Sequence, residues 1–137
     1  MSFLDNLENN LKALESREEQ DPKAMARARS AREAERAAAL KRAPFEQELR
    51  DGPFSGALIT ACRRAGHARR IMVRPTWIGT VLRLEARWDD VDRRLEIEAT
   101  GDGARAVFYE GDERIQEERV DLKGPADALA ANWLGPA

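Results

Sequence analysis

The sequence predicts an α+β fold: an N-terminal helical arm, then a helix, a four- to five-stranded antiparallel meander sheet and a C-terminal helix. Two observations point to it. Apolar residues recur at helical spacing over 54–65, change to a period of two from Ala68 onward, and return to helical spacing near the end. The turns between the alternating runs are short, which suits antiparallel hairpins and excludes parallel crossovers. Because one strand face is apolar and the other charged, helices are expected to cover the apolar face.

The arm comes first. Ser2, with Asp5 three residues on, makes a capping-box-like start in which the acid favours the positive helix end. Leu4, Leu7, Leu11 and Leu14 follow at spacings of three, four and three, the a and d positions of a heptad seam. The expected amphipathic helix covers 2–20. Its seam spans about two heptads, and a strip this apolar requires a cover. Asp21 and Pro22 then read as the N-cap and first residue of a new helix over 22–43, rich in Ala, Arg and Glu. Only Met25 and Leu40 are large and apolar there, so this helix is expected to be solvated. Ala43-Pro44 should interrupt it, with a short turn or helix over 44–51 anchored by Phe45 and Leu49. The arm is thus assigned to 1–50 and a compact domain to 53–137.

In the domain, Phe54, Ala57, Leu58, Ala61, Cys62 and Ala65 lie on one helix face, and Gly66 supplies a stop. Ile71, Val73 and Trp77 suggest a first strand, in which Pro75 must lie at an edge, an end or a bulge. Thr80 to Trp88 alternates clearly. Leu95, Ile97 and Ala99 alternate with Arg94, Glu96 and Glu98, and Ala104, Ala106 and Phe108 form a further run. Ile115 and Val120 have opposite parity, which predicts a bulge or a break in the last strand. Ala128, Leu129, Trp133 and Leu134 give the closing helix its apolar side.

Composition bounds the function. The chain has 137 residues, 42% apolar and 35% charged, too apolar for wholesale disorder. One cysteine allows no internal disulfide and no thiolate zinc cage. The apolar runs fall well short of the roughly 18 residues of a membrane helix. The start MSFLDNLENN lacks the basic and apolar regions of a secretory signal, so the expected location is cytoplasmic, with no membrane partner.

Charge is segregated. Residues 1–21 hold two bases and six acids, 22–50 eight and four, 51–78 five and one, and 79–137 eight and fourteen. A basic middle between acidic ends suits pairing within or between molecules, or a nucleic-acid patch. The sequence pI near 5.6 favours the former.

Catalytic signatures are missing. Neither phosphate-cradling glycine motif occurs, so no nucleotide cofactor is expected. His67 and Cys62 are single residues of their kind, and no metal site is expected. Asp89, Asp90 and Asp92 read as a solvated turn rather than a Ca²⁺ loop. Glu96 and Glu98 share a strand face, but it is the polar face, where charge is ordinary.

Two surfaces remain as expectations. The leucine seam, Leu4, Leu7, Leu11 and Leu14, is expected to mediate self-association or docking to a protein partner in a non-enzymatic interaction module. The alternative is nucleic-acid or acidic-surface binding through Arg63, Arg64, Arg69, Arg70 and Arg74, with Trp77 available for stacking. Against the alternative stands cross-strand pairing of Arg83, Arg87 and these arginines with Glu85, Glu96 and Glu98.

Overall fold

A computed structural model describes residues 22–135 together with Asn6, Asn9 and Asn10. Those three asparagines are helical and exposed; the four seam leucines lie outside the described residues. The elements are α1 (Pro22–Asp51), α2 (Pro53–Ala68), β1 (Arg74–Ile78), β2 (Val81–Trp88), β3 (Val91–Thr100), β4 (Gly103–Glu110), β5 (Glu113–Val120) and α3 (Asp127–Leu134). This is the expected α+β architecture, with five strands in the order β1-β2-β3-β4-β5, every neighbouring pair antiparallel.

The chain divides into two compact units, Met1–Ala38 and Ala39–Ala137, and α1 contributes to both. In the first unit every residue from Pro22 to Ala37 is exposed, as the scarcity of apolar side chains there requires.

Two helix boundaries differ from the sequence reading. The expected interruption at Ala43-Pro44 does not occur: α1 runs through Pro44 to Asp51 as one helix. Proline removes the bond to the carbonyl of Leu40. Leu40 is exposed, so water is at hand to serve that carbonyl, and the following turns are tied to the core by buried Leu49 and partly buried Phe45. The second compact unit begins at Ala39 and takes in the part of α1 that carries Phe45 and Leu49. Gly66, expected to stop α2, lies inside it. A Cβ at Gly66 would sit 2.5 Å from the carbonyl oxygen of Ile71, whose own N–H donates to Gly66 O at 2.7 Å. Glycine is needed there because the chain folds back onto the helix end, not because the helix ends. Ile71 and Val73 are buried in that returning segment, and β1 begins only at Arg74.

The meander matches its sequence pattern. Leu82, Leu84 and Ala86 of β2, Leu95 and Ile97 of β3, and Ala104, Ala106 and Phe108 of β4 share one face by register. With Leu49, Phe54, Leu58, Cys62, Trp133 and Leu134 from the helices they make one buried cluster. Each fully buried leucine or isoleucine contributes about 1.5–3 kcal/mol relative to exposure. The parity break in β5 is a bulge: Tyr109 pairs with Arg114 and Phe108 with Gln116, so Ile115 is the extra residue, half exposed.

Each hairpin closes in two residues, which fixes the register. At the β2–β3 turn both central residues, Asp89 and Asp90, are left-handed, with φ of 53° and 60°. An L residue pays for that conformation, less so for aspartate, and two adjacent carboxylates also repel. Asp90→Gly should therefore raise stability by about 0.5–1 kcal/mol. An upward shift of the urea midpoint checks this, and an unchanged or lower midpoint contradicts it.

Candidate interaction surface

The sheet face opposite the helices is paved with ion pairs. Register sets Arg83 opposite Glu96, Glu85 opposite Arg94, and Glu98 opposite Arg105. Arg83 reaches Glu96 at 3.4 Å, Arg94 reaches Glu96 at 3.1 Å and Arg87 reaches Asp92 at 3.4 Å. Arg105 bonds Glu98 and lies 3.3 Å from Glu117, while Arg119 lies 3.1 Å from Asp102. The Glu98 hydrogen bond, more than any other contact, holds the Arg105 guanidinium charged. Thr100 first, and Arg119 second, hold the Asp102 carboxyl below its ordinary range. Val107, on this same face by register, is only 2% exposed. No helix is needed to cover it where arginine stems lie across a strand. Arg94 also stacks on Tyr109, its guanidinium 4.0 Å from the ring centre. This face satisfies its own charge.

The cations around the end of α2 do not share in that network. Arg63, Arg64, His67, Arg70 and Arg74 are exposed, and among the described residues none of their side chains has a hydrogen bond or ion pair. Local structure explains why they face outward. Arg63 and His67 stand four apart on α2, one above the other. Arg70 takes a left-handed φ of 59°, and the chain then alternates: Ile71 and Val73 turn into the core while Met72 and Arg74 turn out. Sequence explains why they lack partners. From Gly52 to Leu84 there is no Asp or Glu at all, in a chain where 25 residues are acidic. The carboxylates expected to neutralise this cluster, Glu96 and Glu98, are engaged by Arg83, Arg94 and Arg105. Glu85 lies 3.8 Å from Arg83.

Arg63, His67, Arg70 and Arg74 border two shallow depressions, while Arg64 lines a separate one beside Asp127. One, of about 370 Å³, is lined by Arg63, His67, Arg70 and Met72. The other, of about 580 Å³, is lined by Met72 and Arg74 together with Arg87, Arg93 and Arg94 and the carboxylates Glu85, Asp92 and Asp112. Met72 belongs to both and is 70% exposed, so the two depressions meet across it, the first cationic and the second of mixed charge. Nothing in the sequence reading singled out Met72. The signal was available in the in–out alternation of residues 70–74, once Ile71 and Val73 were placed in the core.

Arg69 and Trp77 do not join this surface. Arg69 donates from Nη1 to the carbonyl of Leu134, closing the C-terminal end of α3 onto the end of α2. Trp77 pairs with Leu82 on the helix-covered face, is partly buried against the core, and carries the Arg50 guanidinium 5.0 Å above its ring. Arg74, three residues earlier, lies on the opposite face of the strand. The six residues that are neighbours in sequence thus separate into four outward arginines, one arginine that ties two helices together, and one tryptophan packed on the core.

The remaining reactive groups are structural. Ser55 donates from Oγ to the carbonyl of Leu49, joining the end of α1 to the start of α2. Cys62 is fully buried, and burial pushes its thiol from 9.0 up to about 12. At pH 8 that leaves roughly a thousandfold less thiolate than in the unfolded chain, so the native protein should resist a disulfide-exchange reagent that labels it rapidly in denaturant. The raised value also gives a sign to the pH dependence. Stability linked to Cys62 is complete below pH 9.0 and is lost as pH climbs toward about 12, and Cys62→Ala should flatten that slope. Rapid native labelling would contradict the burial. Among the described residues no group of three His, Cys, Asp or Glu side chains is arranged to hold a metal ion.

No described helix is long and apolar enough to cross a membrane. No family model, curated protein or solved structure matches this chain.

Proposed function

We propose that the chain is a non-enzymatic, cytoplasmic protein-interaction module, an α+β domain joined to a helical arm that mediates assembly. The observation that carries this reading is the arm's division of labour. Leu4, Leu7, Leu11 and Leu14 form an a/d seam in the sequence, while Pro22–Ala37 of α1 is exposed on every described residue and gives the core nothing. A helix of this composition, rich in good helix formers and free of large apolar side chains after Met25, suits a spacer. The seam is the apolar strip that has to be covered, by a second copy or by the helix of a larger protein partner. Self-association is the form that can be tested directly. Light scattering of the intact chain over a tenfold concentration range should give a dimer or higher species. A monomer at every concentration argues against self-association and would direct the search to a larger partner.

A further inference from the structure

The outward arginines support a second binding activity, beyond assembly. We propose that the surface made by Arg63, Arg70 and Arg74 around Met72, with Arg64 next to Arg63 on the exposed side of α2, docks the phosphodiester backbone of nucleic acid. Three features of the molecule favour this partner. First, these cations have no carboxylate partner among the described residues, whereas the arginines of the open sheet face are ion-paired, so their charge is left for an external anion. Second, the surface is built from an uninterrupted acid-free stretch, Gly52 to Leu84. A protein partner of mixed charge would be matched by interspersed acids, whereas an extended polyanion is matched by their exclusion. Third, the cations are guanidiniums, whose planar forks meet phosphate oxygens in pairs.

The same geometry sets limits on recognition. Trp77 is packed against the core under Arg50, and Met72 is the only large exposed apolar side chain in the strip. Among the described residues no aromatic lines either depression around Met72, so the surface senses charge density rather than sequence. A duplex, with two phosphate strands, should therefore bind at least as tightly as a single strand. One methionine with no aromatic companion is also a poor anchor for a lipid surface.

The test is fluorescence anisotropy of the full chain with a labelled duplex of about 20 base pairs, its separated strand, a polyglutamate peptide and phosphatidylserine vesicles. If four arginines each neutralise one phosphate, duplex affinity should fall about a hundredfold between about 50 and 200 mM salt. Arg63→Glu/Arg74→Glu should weaken binding at least about tenfold. Arg114→Glu/Arg119→Glu makes the same charge change on the ion-paired strand β5, and should weaken it by less than about threefold. Both variants alter exposed side chains, and matching thermal melts confirm that each folds. Absence of duplex binding at low salt, equal losses in the two variants, or a salt-insensitive constant would each overturn the proposal. So would tighter binding of the single strand, or binding confined to polyglutamate or to vesicles. Light scattering of Arg63→Glu/Arg74→Glu should give the parental mass. A changed mass would assign the arginines to contacts between copies and overturn the proposal as well.

Discussion

Shortening Leu49 to alanine should destabilise the domain by about 2–5 kcal/mol and lower its melting temperature by roughly 10–30 °C. The side chain is completely buried although it belongs to the last turn of a helix whose first half is solvated. It reaches the cluster formed by α2, α3 and the sheet, and its carbonyl receives the Ser55 hydroxyl. Losing it opens a cavity at the junction of two helices, where the neighbours are held by the sheet and can collapse only partly. The same packing makes a prediction about boundaries. A chain starting at Ala39 should unfold cooperatively like the parent. One starting at Pro53 also loses Phe45 and Leu49, and should not unfold cooperatively given the marginal stability of domains this small. Thermal melts followed by circular dichroism decide it: equal melting temperatures for the parent and Leu49→Ala would show that α1 is not part of the core.

That boundary also shows what was legible in the residues and what was not. The strands were, because alternation of Leu and Ala with Arg and Glu leaves one choice of face, and two-residue turns leave one choice of register. The bulge at Ile115 followed from parity alone. Pro22 as a helix start was legible; two other residues were misleading. Pro44 and Gly66 are both residues that commonly end helices, and both lie inside one. For Pro44 the tertiary contacts of Phe45 and Leu49 outweigh one missing hydrogen bond. For Gly66 a close approach by the carbonyl of Ile71, five residues on in the segment between α2 and β1, sets the requirement for glycine. The arginine surface was half legible. Sequence neighbours pointed to the basic cluster, but which arginines have carboxylate partners depends on cross-strand register and on which strand face each occupies. That is why Trp77 and Arg69 leave the cluster while Met72 enters it.

The second large effect concerns assembly. Leu7→Asp/Leu14→Asp places two charges on the a/d seam, where a carboxylate facing apolar side chains must either stay hydrated or force the helices apart. On the proposed reading the seam serves assembly and not the domain's own core, so the melting temperature of the domain should move little when assembly is lost. Effects confined to mass would separate an assembly seam from a packing element. A large drop in melting temperature at a fixed concentration below assembly would instead mean that the seam supports the domain's own fold.

The most direct measurement is the solution mass of the intact chain beside that of Leu7→Asp/Leu14→Asp, by light scattering at matched concentrations. The parent should be a dimer or larger and the double variant a monomer of 15.4 kDa with the parental circular dichroism spectrum. Identical masses for the two proteins would contradict the assignment of the leucine seam to self-association.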